Sequence, residues 1–234
     1  MNSQHQIPPY GRNDNLPSLA TRITRCIKCP RLAKYTREIA ARKVRRFNDW
    51  NYWGKPVPGF GDEKAEVFII GLAPAAHGAN RTGRMFTGDS SGDWLYRALH
   101  ETGFANQPIS RNIDDGLALK NVFISAVCRC APPDNKPLPS EMENCSPFLE
   151  KEIELLPSMK VVLCLGQIAF SRYCKLRSLK GLEFSHGKKY KLDNGKTLMS
   201  SYHPSRQNTN TGRLKWNEWV KVFREVRAIV DNTQ

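Results

Sequence analysis

Residues 71–89 read GLAPAAHGANRTGRMFTGD, with four glycines, one proline and two arginines in nineteen positions. Residues 67–72, VFIIGL, lead into them and predict a buried strand, being apolar and rich in β-branched and aromatic side chains. Beyond them Trp94, Leu95, Ala98 and Leu99 recur as one face of a helix does. A long glycine-rich loop therefore joins the carboxyl end of a strand to a helix, the place where open α/β sheets bind ligands. Glycine lets backbone approach a ligand closely, and arginine pairs with phosphate. A plain surface loop is the alternative, although structureless loops of this length without function are uncommon.

The alternation continues downstream. Residues 121–127 (NVFISAV), 160–165 (KVVLCL) and 196–202 (KTLMSSY) read as further strands. Helices are expected over 92–101 with Gly103 as a stop, over 140–156, and over 166–173. A last one follows, where Leu214, Trp216, Trp219, Val220, Phe223, Val226 and Ile229 keep helical spacing. Ser140 and Glu143 have capping-box spacing, and Pro147 is expected to kink its helix or delay its start. The pattern predicts an α/β fold with a mostly parallel sheet covered on both faces. Residues 1–18 read as a flexible lead-in and 19–234 as one domain. Residues 31–47 predict a cationic helix burying Leu32, Tyr35, Ile39, Ala40 and Val44. Trp50, Tyr52, Trp53 and Phe60 are expected to pack their loop onto the core, with stacking on bases as the sharper alternative.

At 40% hydrophobic and 25% charged residues, a chain of 234 residues can bury a core. Its formal net charge of +14 points to a polyanion partner, whether DNA, RNA or an anionic membrane surface. No run of about 18 apolar residues suits a membrane span. The first eighteen residues hold no apolar signal core, so a cytosolic protein is expected. No G-x-x-x-x-G-K-[ST] loop is present, which argues against ATP use. The strand ends lack the clustered carboxylates of a two-metal nuclease.

Seven cysteines in a reducing compartment favour metal ligation over disulfides. Cys26 and Cys29 form a C-x-x-C pair; Cys130 ends a strand, and Cys145 follows after fourteen intervening residues. Four such thiolates suit zinc or an iron–sulfur cluster, and the spread second pair favours the cluster. Cys164 and Cys174 read as buried free thiols, and Cys128 as a less favoured substitute for Cys130 on the same strand face. His203 lies just past a strand, placed to donate to a developing anion, with a strand-capping role as the alternative. Arg206, Arg213 and the amides between them suit a phosphate backbone. Asp89 reads as a helix N-cap.

GLAPAAHGANRTGRMFTGD, SYHPSRQNTNTGRL, DWNYWGKPVPGFGD, RCAPPDNKP and the cysteine layout together resemble the family 5, or type b, iron–sulfur uracil-DNA glycosylases, over roughly residues 26–214. The resemblance implies a three-layer α/β/α fold around a four-stranded, mainly parallel sheet. It implies excision of uracil from DNA by cleavage of the N-glycosidic bond. It also implies a structural [4Fe–4S] cluster on Cys26, Cys29, Cys130 and Cys145. Phe86 matches the residue that stacks on the extruded base, and His203 the histidine that stabilises charge on uracil O2. Residues 203–214 resemble the loop that enters the minor groove and fills the gap.

The resemblance also implies that Gly71, Ala73 and Ala126 occupy substrate-pocket positions. Arg81, Arg84, Ser205, Arg206, Gln207, Asn208 and Arg213 are the expected DNA contacts. Ala73 stands where commoner glycosylases carry a water-positioning polar residue, and Ala126 where a related family reads the pyrimidine edge with asparagine. Both changes remove polar discrimination and imply a broader range that includes hypoxanthine. Asn80 is nominated to orient water, with Asp89 or His77 in reserve. The expected partner is double-stranded DNA with deaminated bases, with single-stranded DNA as a second form. The protein is expected to be a monomer associated with the nucleoid. A non-catalytic iron–sulfur module that binds nucleic acid is the rival class, though it leaves Phe86 and His203 unexplained.

Overall fold

A computed structural model describes residues 15–232. Its elements run α1 (Leu16–Thr24), α2 (Pro30–Arg42), β1 (Phe60–Gly61), β2 (Val67–Gly71), α3 (Ala79–Thr82), α4 (Ser90–Glu101), β3 (Val122–Ala126), α5 (Pro139–Glu154), β4 (Val161–Leu165), α6 (Gln167–Leu176), β5 (Lys189–Lys191), β6 (Thr197–Ser201), α7 (Arg206–Asn210) and α8 (Trp216–Asp231). One sheet is ordered β1-β3-β2-β4-β6-β5. The four expected strands form its parallel centre. Two short antiparallel strands, β1 and β5, close the edges and make the sheet six-stranded rather than four-stranded.

Every residue of the four central strands is buried, as parallel strands covered on both faces require. Alternate side chains point to opposite faces. Val67, Ile69, Ile124, Leu163 and Met199 pack with Leu95 and Leu99 of α4 and Trp219 and Phe223 of α8. Phe68, Ile70, Val162, Cys164 and Leu198 pack with Leu149 and Ile153 of α5 and Phe170 and Tyr173 of α6. Three layers result. Truncating one of these central apolar side chains to alanine costs about 2–5 kcal/mol.

Several boundaries differ from the sequence expectation. Residues 1–14 lie outside the described residues, but 15–18 are not lead-in. Asn15 caps α1 by accepting from Ser18 N–H at 2.9 Å, and Leu16, Leu19 and Ile23 are buried. The helix expected over 31–47 stops at Arg42, because Lys43 turns into positive φ (54°), and a 3-10 turn follows at Arg45–Phe47. Only Leu32 and Thr36 of α2 are fully buried. Helix α5 starts at Pro139, where the Leu138 N–H donates to Glu141 at 2.7 Å, so Glu141 and not Glu143 closes the cap. Pro147 is accommodated inside α5.

Because β2, β3, β4 and β6 run parallel, their carboxyl ends share one edge of the sheet. The loops after them open there together.

Candidate active site

The glycine-rich loop leaves β2 and crosses the sheet edge. Phe86 sits in it at φ 54°, a left-handed conformation that costs a bulky residue of order 1–3 kcal/mol. Its neighbours hold it there. Tyr96 Oη donates to the Met85 carbonyl at 2.6 Å, and Thr87 Oγ1 shares a hydrogen bond with Ser110 at 2.7 Å. Arg84 donates to Ser110, to Asp115 at 2.7 Å and to the Ile113 carbonyl. Gly71 is needed beneath the ring, since a Cβ there would lie 2.6 Å from Phe86 Cζ. Gly92 is needed behind it, since its Cβ would fall 1.7 Å from the Phe86 carbonyl oxygen.

His203 follows β6 and meets Phe86 with ring centres 5.8 Å apart and planes 29° from parallel. Asn208 Nδ2 donates to the His203 carbonyl at 2.8 Å and fixes the turn. Gly166, after β4, turns at φ 95°, a conformation that favours glycine, and lies near the histidine. Desolvation pushes the His203 imidazole below its usual pKa, partly offset by Asp89. Asp89 caps α4, accepting from Ser91 and Gly92 N–H at 3.0 Å each through Oδ1. Oδ2 lies against Gly78, where a Cβ would come within 2.3 Å.

Ala73, His77, Phe86, Asp89 and His203 all line one cavity of about 1190 Å³. Tyr52 Oη and His77 Nδ1 are 3.0 Å apart, and desolvation, with Arg46 and Arg81, lowers the His77 pKa. Arg206, Gln207 and Ser205 border the same cavity. Arg206 Nε donates to Ser90 Oγ at 3.2 Å, tying the strand-end loop after β6 to the start of α4. Arg213 lies over the Tyr202 ring at 4.5 Å.

At a separate corner, the N-terminus of α2 meets the segment after β3 and helix α5. Cys29 and Cys130 pack together with Leu32. Burial pushes the Cys26, Cys29 and Cys130 thiols up, and neighbouring thiols, Cys145 among them, add to the rise. Cys145 itself is pulled down, first by a hydrogen bond from Cys128. Asn144 Nδ2 donates toward Cys29 Sγ at 3.5 Å. The buried Thr36 hydroxyl stands beside Cys130, and its hydrogen bond to that sulfur partly offsets the rise of the thiol's pKa. Among the described residues no three His, Cys, Asp or Glu side chains are set to hold a metal ion. A four-iron cluster spreads its thiolates wider than a lone zinc ion does. A buried hydroxyl able to donate to sulfur, beside four convergent thiols, fits such a group.

The family model described as the uracil DNA glycosylase superfamily matches residues 58–227. This chain belongs to the uracil-DNA glycosylase superfamily. It is 45% identical over 223 residues to the type-5 uracil-DNA glycosylase of Mycobacterium leprae, covering 94% of this chain and 97% of that protein. The type-5 enzyme of Thermus thermophilus is 46% identical over 209 residues, with 88% and 94% covered. That of Pyrobaculum aerophilum is 42% identical over 207 residues, with 88% and 90% covered.

Within this superfamily chain the expected site residues fall into two groups. Phe86, His203, Ala73 and Asp89 converge in the cavity, and Gly71 supports Phe86 from below. Ser205, Arg206 and Gln207 stand at its rim. Arg81 also lines the cavity, while Asn80, Arg84 and Ala126 do not. Asn80 is 1% exposed; its Nδ2 donates to the Thr36 carbonyl at 3.2 Å and the Ala76 carbonyl at 3.3 Å, behind the cavity wall. That placement does not suit a residue that orients water. Arg84 is enclosed with Asp115, and Arg81 is sandwiched between Phe47 (3.8 Å) and Trp50 (4.0 Å) while donating to the His77 and Gly88 carbonyls. Both arginines build the loop instead of presenting a free guanidinium to phosphate. Ala126 is buried beside Gly71 in the sheet register. Trp53 packs on Gly83 and donates to the Pro56 carbonyl, so its role is packing. Ser110, Asp115 and Tyr96, which carry the Phe86 turn, had no sequence signal beyond their residue type. Gln167 and Ile168 at the rim follow from the strand end before them.

Proposed function

We propose that this protein is a DNA glycosylase that flips uracil out of DNA and hydrolyses its N-glycosidic bond, leaving an abasic site. One observation carries the reading: Phe86 and His203, from opposite halves of the chain, meet on the floor of one large cavity at the strand ends. A base inside a duplex is unreachable, so it must leave the stack, at a cost of a few kcal/mol. Phe86 then offers an aromatic face to the flipped base. As the C1′–N1 bond breaks, both electrons go to the base and negative charge grows on its O2. His203, kept neutral near pH 7 by its lowered pKa, donates a hydrogen bond to that oxygen.

Water then adds to the sugar cation and gives up a proton. Asn80 faces away, so the role falls to Asp89, whose carboxylate lines the cavity and is fixed by two backbone N–H bonds. The proton passes to Asp89. His77, held by Tyr52, stays in reserve for orienting that water.

Ala73 in the cavity lining offers no polar group to a pyrimidine edge, which supports excision of hypoxanthine as well as uracil. Arg206, Gln207, Asn208, Ser205 and Arg213 are the proposed contacts to the sugar–phosphate backbone. Cys26, Cys29, Cys130 and Cys145 would hold a [4Fe–4S] cluster, which supplies a structural clamp among α2, the end of β3 and α5. The net charge of +14 supports a monomer bound to double-stranded DNA in the nucleoid, with single strands also accepted.

A duplex bearing one uracil, incubated with the protein and then treated with alkali, is the test. Strand cleavage at the uracil is expected. Binding without cleavage would leave only the non-catalytic module.

A further inference from the structure

His203 is held on its carboxyl side by Asn208, which donates to its carbonyl. Its amino side needs an equal hold, because the ring must stay beside Phe86, 5.8 Å away. The chain arrives there from β6 through Tyr202, and a second histidine, His186, stands against that residue.

His186 lies between α6 and β5 on a segment tied to β6. Ser200 Oγ donates to the Ser185 carbonyl at 2.6 Å, and Gly187 N–H donates to the Ser200 carbonyl at 2.8 Å. The backbone on both sides of His186 is thereby fixed to one strand residue. Tyr202 N–H donates to His186 Nδ1 at 3.3 Å. Ser201 Oγ lies 3.1 Å from the same nitrogen and donates to the Tyr202 carbonyl at 3.0 Å. The imidazole also stacks on the Tyr202 ring, with centres 5.2 Å apart and planes 23° from parallel. Both peptide groups that flank Tyr202 are held, and the second of them leads into His203. His186 itself is half-buried and does not line the cavity.

An amide N–H can only donate, so Nδ1 is the bare nitrogen of this ring and its proton sits on Nε2. An imidazolium would have no acceptor to offer Tyr202. Burial lowers the His186 pKa and favours the neutral ring, against an opposing pull from the Glu218 backbone and the Glu218 and Glu225 carboxylates of α8.

We propose that His186 is a positioning residue for His203, setting that imidazole against Phe86 through the backbone and ring of Tyr202. The reaction it serves rests on the glycosylase reading, but the placement of the His203 ring can be followed without any reaction.

Three variants test the role: His186→Ala, His186→Asn and His186→Gln. The asparagine amide can stand in for Nδ1 as acceptor, while the longer glutamine carries its amide toward the place of Nε2. On uracil in a single strand, His186→Ala is expected to lower kcat about tenfold with KM within about twofold, and His186→Asn alone to recover to within about threefold of wild type. The second readout is the titration of His203, followed by NMR of its ring protons and assigned with His203→Ala. Burial holds that ring below its usual pKa in the wild type. His186→Ala should move it up toward the usual value, and His186→Asn should not. Wild-type kcat or an unmoved His203 titration in His186→Ala would overturn the assignment, as would equal recovery with asparagine and glutamine. If His186→Ala does not fold, the comparison of asparagine with glutamine decides the matter on both readouts. A wild-type protein that excises nothing, with a His203 titration that still shifts in His186→Ala, would overturn the glycosylase reading and leave the positioning role standing.

Discussion

Gly78 carries no side chain at the spot where Asp89 Oδ2 lies; a Cβ there would stand 2.3 Å from that oxygen. The carboxylate is positioned from two sides, by the α4 N–H groups and by the absence of bulk at Gly78. Gly78→Ala must displace it. We expect kcat for uracil excision to fall about 100-fold, as a displacement of an ångström does, while duplex affinity and the unfolding transition change little. Single-turnover excision and a binding titration on the same preparation separate these effects. A Gly78→Ala protein with full kcat would remove Asp89 from the chemistry.

His203→Ala is expected to lose excision far more than duplex binding. It also alters the pH dependence of stability. Folding lowers the His203 pKa from 6.5, so the unfolded chain binds more protons than the native one as pH falls through that region. The stability due to this neutral imidazole is complete above the unfolded pKa and is lost toward the depressed native one. His77 and His186 are lowered in the same way and set the common downward trend. Between about pH 7.5 and 5.5 the Tm of the wild type should drop, and that of His203→Ala should drop less. Parallel curves would refute the shift.

Asp115→Ala strands the Arg84 guanidinium without its counter-charge in a site where the pair is 4% and 8% exposed. Breaking a buried pair by removing one partner costs about 3–5 kcal/mol. Denaturant unfolding should show that loss. Because Arg84 and Ser110 also hold the Phe86 turn, the surviving folded protein should have a raised KM for a uracil strand.

Asn80→Ala removes a buried amide that donates to the Thr36 and Ala76 carbonyls. Leaving those carbonyls short of a donor costs about 1–3 kcal/mol. The chemical step should stay within a few-fold of wild type. A folded Asn80→Ala protein unable to cleave in a single turnover would return Asn80 to the chemistry.

The proposed cluster predicts visible absorbance and bound iron in the purified protein, and Cys145→Ser is expected to lack both. Cys128→Ser, which changes a thiol that only donates to Cys145, should retain both. Loss of absorbance in Cys128→Ser and its retention in Cys130→Ser would exchange the two cysteines as ligands.

The central sheet was legible because parallel strands buried on both faces are unbroken apolar runs: VFIIG, VFISA and VVLCL announce themselves. The edge strands FG and KYK do not, being two and three residues long and half-exposed. Helix α1 was legible in principle, since Asn15 before Leu16-Pro17 is a cap followed by an early proline, and Leu16, Leu19 and Ile23 have helical spacing. In the candidate site, Phe86, His203 and Asp89, singled out in the sequence, line one cavity. A polar side chain in a glycine-rich loop can face a ligand or can pair inside the protein, and sequence spacing is the same for both. Arg81 donates to carbonyls of its own loop, Asn80 to one there and to Thr36 of α2, and Arg84 to Ser110, Asp115 and the Ile113 carbonyl.

The strand order β2-β4-β6 has a consequence for how activity arises during synthesis. Strand β2 with Phe86 is made early, β6 with His203 late, and the two touch only across β4. A growing chain thus carries an aromatic platform with no histidine beside it until almost all of the polypeptide has left the ribosome. The pairing of the two rings therefore waits on the last strand of the sheet.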